Sequence, residues 1–272
     1  MGSENNIKVH LFDILSTLAP PRNSWSAHIL KTRCILNYKK IPYSQSFISY
    51  PDIAPLLKSL NVEPNKTGAP YTLPAIIHND SISSNAHGVL SDSLPIALHL
   101  DRVFPEAPLF PSGDASYALF LAVERIMATF ESGYRPFIVP RVAESLDERG
   151  RVYFEATRSA ALGKPLAQVR PAPEDTERIS HLWRIIEREA LTLIGMLKGR
   201  EGKKGVFFEG ETLGFADILV ACHLAFIERF DKDLFLRVVG LGSGELRALY
   251  EACVPLLEGQ GEDRPWDVPS EN

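Results

Sequence analysis

Residues 104–113, FPEAPLFPSG, place three prolines and one glycine in ten positions, and the chain changes character across them. Regular structure cannot run through such a stretch, because each proline lacks a backbone donor and biases the residue before it away from helix. Before it, short β-rich runs alternate with segments of helical length. After it, the apolar residues recur only at helical spacing. With 272 residues and 45% apolar composition the chain can fill more than one core. The sequence therefore divides into a first domain over 1–103, a linker over 104–113 and an all-helical domain over 114–272.

The first domain reads as β-α-β-α-β-β-α. Lys8–Leu15, Ser44–Ser49 and Ala75–His78 are β-rich runs bounded by turn residues, and Val89–Ser91 is a fourth. Helices are expected over Ser26–Lys40, Asp52–Leu60 and Leu94–Val103, the last stopped by Pro105. In the second domain Leu119, Val123, Ile126, Met127 and Phe130 share one helical face, as do Ile179, Leu182, Trp183, Ile186, Leu193 and Leu197. The tail from Glu258 onward is polar and reads as loose.

Several function classes recede on composition alone. A net charge of -5 and a pI near 5.8 supply no broad positive field for nucleic acid or an anionic membrane. The longest apolar run, Ile218–Ile227, is about half the ~20 residues a bilayer requires. MGSENNIKVH lacks an apolar signal core, and Asn6 stands where a myristoylation pattern needs Ser or Thr. Cys34, Cys222 and Cys253 are odd in number and far apart, which fits a reducing, cytoplasmic compartment. No Cys-x-x-Cys and no histidine pair at zinc spacing suggests a metal, and Gly240–Gly244 lacks the spacing of a dinucleotide loop. His223, inside an apolar helix, reads as a hydrogen-bonded core residue.

Three spots can carry chemistry. Asn23–Arg33, NSWSAHILKTR, joins the first strand to the first helix, and Ser24 or Ser26 could serve as a helix N-cap or present a hydroxyl to a ligand. Tyr71-Thr-Leu-Pro74 precedes a strand; Pro74 is either an edge feature or the second residue of a cis peptide that turns the Leu73 backbone toward a peptide ligand. Ser91-Asp-Ser93 opens a helix, where Asp92 and Ser93 could cap it or grip the ammonium and carboxylate of a zwitterion.

In this order and spacing the three spots resemble the glutathione transferase family. Ser24-Trp-Ser26 with Lys31-Thr-Arg33, together with Tyr153-Phe-Glu-Ala-Thr-Arg158 and Gly163-Lys164, is similar to fungal Fua-type transferases and bacterial β-etherases. Gly210-Glu-Thr-Leu-Gly-Phe-Ala-Asp217 resembles the family's capping box, with Gly214 in place of the usual Ser or Thr cap. The resemblance covers about residues 7–257, and 139–173 matches poorly.

The resemblance implies a thioredoxin-like first domain and an all-helical second one, and a homodimer. It implies glutathione as co-substrate or recycled cofactor, with no metal. Ser26 would donate to the thiolate, with Ser24 as alternate. Leu73 and Pro74 would pair with the cysteinyl unit, while Asp92 and Ser93 hold the γ-glutamyl end. The partner would be a small apolar or aromatic electrophile, met by Tyr117, Phe130, Tyr134 and Phe137, which equally suit ordinary core. The expected reaction is conjugation or ether cleavage, in detoxification or secondary metabolism. The alternatives are a glutathione-dependent isomerase or dehydratase and a non-catalytic ligand carrier.

Overall fold

The computed structural model describes residues 8–79 and 81–269, so the expectation placed on Asn6 lies outside the described residues. The chain forms two compact units. The first takes residues up to 107, a segment 145–153 and the residues from 256; the second takes 108–144 and 154–255.

The first unit contains β1 (Val9–Ile14), α1 (Ala27–Tyr38), β2 (Tyr43–Ile48), α2 (Ile53–Ser59), β3 (Ala75–Ile77), β4 (Val89–Ser91) and α3 (Ser93–Val103). This is the order expected from the sequence. The sheet order is β4-β3-β1-β2-β5, where β5 is Glu262–Asp263. β1 runs parallel to β2 and antiparallel to β3, and β3 is antiparallel to β4. Every residue of β1 is buried, as befits a strand covered on both faces. α1 is buried from Ile29 through Leu36 and packs on α3.

One polar residue of β1 is kept inside by a partner on α1. Arg33 Nη2 donates to Asp13 Oδ2 at 2.9 Å, and both side chains are fully buried. Burial works against the guanidinium charge, but the Asp13 carboxylate, with a further contribution from Tyr43, holds the Arg33 pKa above its ordinary value.

The tail departs from expectation. Instead of lying loose at the end of the helical domain, it joins the first unit, with β5 pairing in parallel with β2 at Ser44↔Glu262 and Gln45↔Asp263. Gln45 Nε2 donates to Asp263 Oδ1 at 2.6 Å, Arg264 N–H donates to the Gln45 carbonyl at 2.9 Å, and Trp266 lies 4.8 Å from the Phe12 ring, edge to face. The side chains of β5 are exposed, so their polarity conceals a strand whose bonds are made by backbone and amide groups.

The second unit is helical: α4 (Asp114–Val142), α5 (Glu148–Leu162, which begins in the segment of the first unit), α6 (Thr176–Lys198), α7 (Phe215–Phe230), α8 (Lys232–Val239) and α9 (Glu245–Glu258). α4 packs on α6 and α7. The close approach requires Gly133, where a Cβ would stand 2.8 Å from Ile186 Cγ1 and 3.1 Å from the Leu182 carbonyl oxygen. α7 is buried from Phe215 through Ile227. His223 is indeed a hydrogen-bonded core residue: its Nδ1 pairs with the Tyr134 hydroxyl at 2.6 Å.

The start of α7 bears out the capping role of Asp217, whose carboxylate accepts from Gly214 N–H at 2.9 Å and Phe208 N–H at 2.8 Å. Burial nevertheless outweighs these donors and raises its pKa to about 7. A carboxyl whose folded pKa exceeds the unfolded one contributes stability below the unfolded value, and that contribution is lost as pH rises through the folded one. Stability measured by urea unfolding should therefore fall between about pH 4 and pH 7 more steeply in the native protein than in Asp217→Asn. Equal slopes would remove Asp217 as the source.

Candidate functional site

The sheet register brings the three singled-out segments to one end. Ala75 pairs with Phe12 on one side and Ser91 on the other, so the carboxyl ends of β1 and β4 and the amino end of β3 share an edge of the unit. The Asn23–Ser26 loop follows β1, Leu73-Pro74 precedes β3, and Asp92-Ser93 follows β4. A direct bond closes part of the cluster: Asp92 N–H donates to the Pro74 carbonyl at 3.1 Å. Crevices beyond strand carboxyl ends are the places where sheets with covering helices bind ligands.

Ser26 occupies the N-cap position of α1 with extended backbone, yet its hydroxyl makes no cap bond. It is nearly buried, at 8% exposure. Ser24 is fully buried, and its Oγ has no hydrogen-bond partner among the described residues. Capping, the ordinary use of a serine here, therefore accounts for neither hydroxyl. The first turn of α1 carries no acidic side chain, which leaves the positive end of the helix uncompensated.

The Leu73–Pro74 peptide is cis. Leu73 is buried, and its backbone N–H and C=O bond to no other described residue. Asp92 adopts φ 76°, ψ 137°, a region disfavoured for a residue with a side chain, and its Oδ1 accepts from Ser93 N–H at 2.7 Å. The remainder of the exposed Asp92 carboxylate faces outward in front of α3, beside the buried Ser93.

Aromatic neighbours in the first unit were not singled out by the sequence. Trp25, between the two serines, lies 6.4 Å from the Tyr50 ring, and Tyr50 stacks on Tyr153 at 6.4 Å and 25°. Tyr153 reaches this place because the segment 145–153 docks on the turn after β2. There Asp147 accepts from the Ser49 hydroxyl at 2.8 Å, and Arg149 forks onto Asp52 at 2.6 and 2.9 Å. The sequence signals were Trp25 and Tyr153, both in stretches quoted for family resemblance, while Tyr50 carried none.

The four aromatic candidates of the helical half divide. Phe130 and Tyr134 are fully buried within the second unit, where their rings meet edge to face at 5.4 Å, so they serve as core. Tyr117 and Phe137 keep part of their surface exposed. Among the described residues no group of three or more His, Cys, Asp or Glu gathers to hold a metal, and no helix is long and apolar enough to cross a membrane.

A βαβαββα unit with these segments at one end of its sheet, continued by a helical unit, is the thioredoxin-like plus all-helical fold of the glutathione transferases. Residues 118–256 match the family model of the glutathione S-transferase C-terminal domain. The chain is 49% identical over 264 residues to the glutathione S-transferase-like protein ustS of Aspergillus flavus, covering 96% of this chain and 95% of that one. Among solved structures it is similar to CsGST63524 of Ceriporiopsis subvermispora in complex with glutathione, with TM-score 0.77, 26% identity and coverage of 91% and 97%. Glutathione transferase GSTFuA3 of Phanerochaete chrysosporium shares the fold, with TM-score 0.78, 24% identity and coverage of 91% and 96%. The chain belongs to the glutathione S-transferase family.

Proposed function

We propose that the protein is a glutathione transferase that ionises the glutathione thiol at the head of α1 and directs it at an apolar or aromatic electrophile. The observation that carries the reading is the pair of hydroxyls, Ser24 and Ser26, left unused by capping at a helix start with no acidic neighbour. A free thiol of pKa about 8.5 is only a few per cent thiolate at neutral pH. Ser26, with Ser24 as alternate, donates a hydrogen bond to the sulfur. Together with the helix dipole, such a charge-assisted bond can supply the roughly 2.7 kcal/mol that lowers a pKa by about two units.

The rest of the tripeptide finds complementary groups on the same edge. The unengaged Leu73 N–H and C=O suit antiparallel pairing with a cysteinyl backbone. The Asp92 carboxylate suits the γ-glutamyl ammonium, and the Ser93 hydroxyl with the N–H groups of α3 suits its carboxylate. Two solved relatives from Ceriporiopsis subvermispora, at 26% and 28% identity, were crystallised with glutathione, which supports this reading. For the acceptor, the stacked Tyr50 and Tyr153 rings, with Trp25 tilted against Tyr50, favour an aromatic electrophile.

Asp92→Asn tests the anchoring. Asparagine tolerates the positive φ and keeps an oxygen for Ser93 N–H, so the fold should hold while the charge is lost. Glutathione affinity by calorimetry should weaken by about tenfold, the scale of one charge-assisted bond. An unchanged Kd would move the γ-glutamyl end elsewhere. Product mass identifies the reaction, since conjugation retains a glutathione adduct whereas isomerisation or dehydration returns the thiol.

A further inference from the structure

The loop that carries Ser24 and Ser26 spans residues 15–26, between β1 and α1, without regular secondary structure. Its conformation is set by tethers. Ser16 Oγ donates to the Asn23 carbonyl at 2.8 Å, and Thr17 N–H donates to the Ser145 carbonyl at 2.9 Å. A third tether comes from the C-terminal segment: Gln260 Nε2 donates to the Pro21 carbonyl at 3.1 Å, and Arg22 lies 3.5 Å from Glu258.

Gln260 uses all four positions of its amide. Its nitrogen donates to the Pro21 and Glu258 carbonyls, both at 3.1 Å. Its oxygen accepts from Arg33 Nη1 at 3.0 Å and from Gln45 Nε2 at 3.1 Å. Arg33 is in turn fixed to Asp13 on β1 and stands seven residues, about two helical turns, after Ser26 on α1. One side chain therefore links the serine loop, the serine-bearing helix and the central sheet. Only an amide fits, because two of its partners donate and two accept.

We propose that Gln260 is a positioning residue of the thiol site: it holds Pro21 against the Arg33–Asp13 anchor, and so fixes where the Ser24 and Ser26 hydroxyls stand relative to the sulfur. This rests on the reading of those serines as the thiolate donors. The groups proposed for the cysteinyl and γ-glutamyl contacts lie just before β3 and at the head of α3, which Gln260 does not touch, so its loss bears on ionisation rather than on affinity. Displacements well below an ångström suffice to weaken a directional bond.

The test compares Gln260→Ala, Gln260→Glu, Ser24→Ala and Ser26→Ala in the full chain. It reads the pKa of bound glutathione from ultraviolet thiolate absorbance, the glutathione Kd by calorimetry and the thermal midpoint. In both Gln260 variants the bound thiol pKa should rise by about half to one unit, with Kd within about threefold and the midpoint nearly unchanged. Gln260→Glu keeps the acceptor for Arg33 and loses the donor to Pro21, so it should behave like the alanine variant. A Gln260→Glu protein with native ionisation would overturn the role of the Pro21 bond. Unmoved pKa in both Gln260 variants, with a shift in a serine variant, would overturn the positioning role and leave the site reading standing. No shift in either serine variant would remove both. A Kd and midpoint that collapse with the pKa would reduce Gln260 to general support.

Discussion

Replacing Ser26 with alanine should lower turnover with an aromatic electrophile by about thirtyfold at pH below the bound thiol pKa, while the KM for glutathione stays within about threefold. The size follows from ionisation: with the helix dipole still in place, losing the hydrogen bond raises the bound thiol pKa by about 1.5 units and removes about 97% of the thiolate in that pH range. Because the thiolate is the attacking species, the loss appears in turnover and fades as pH approaches the free thiol pKa. Ser24→Ala should have the smaller effect if Ser26 is the donor, and the larger one if the fully buried Ser24 hydroxyl is. Pre-steady-state conjugation rates from pH 5.5 to 9 would read both. Unchanged turnover in both single variants would remove the hydroxyls from the mechanism.

The second large effect concerns stability. Arg33→Leu should destabilise the protein by about 3–5 kcal/mol, because it leaves the Asp13 carboxylate buried with its partner gone. The same change removes one donor from the Gly259 carbonyl and one from the Gln260 amide oxygen, so the C-terminal segment should loosen with it. Asp13→Leu combined with Arg33→Leu should recover about half of the loss, since an apolar pair suffers no uncompensated charge. Urea unfolding curves with unchanged slope would quantify both, and a loss below about 1 kcal/mol in Arg33→Leu would contradict the buried-pair account.

The sheet unit was legible because its strands are short β-rich runs separated by turn residues, and because Leu73-Pro74 and Ser91-Asp-Ser93 stand at its punctuation points. The cores of α4 and α6 were legible at helical spacing: Val123, Met127 and Phe130, and Leu182, Ile186, Leu193 and Leu197, are all buried. The same periodicity could not separate core from pocket, which is why Phe130 and Tyr134 resolve only in three dimensions. The segment 145–153 and the tail were illegible for another reason. Their attachments to the rest of the first unit run through hydrogen-bonding side chains, at Ser49–Asp147, Asp52–Arg149 and Gln45–Asp263, and through single aromatic contacts, at Tyr50–Tyr153 and Phe12–Trp266, none of which has a hydrophobic period to betray it. Gln260 belongs to this class: an exposed glutamine in a polar stretch gives no hint of four partners.

The fifth strand has a consequence for biosynthesis. During translation the sheet unit emerges early, yet the outer edge of β2 and the guanidinium of Arg33 must wait for residues 256–266 to clear the ribosome before they are covered. Until then that edge is unpaired, so the length of that interval is set by the helical unit translated in between.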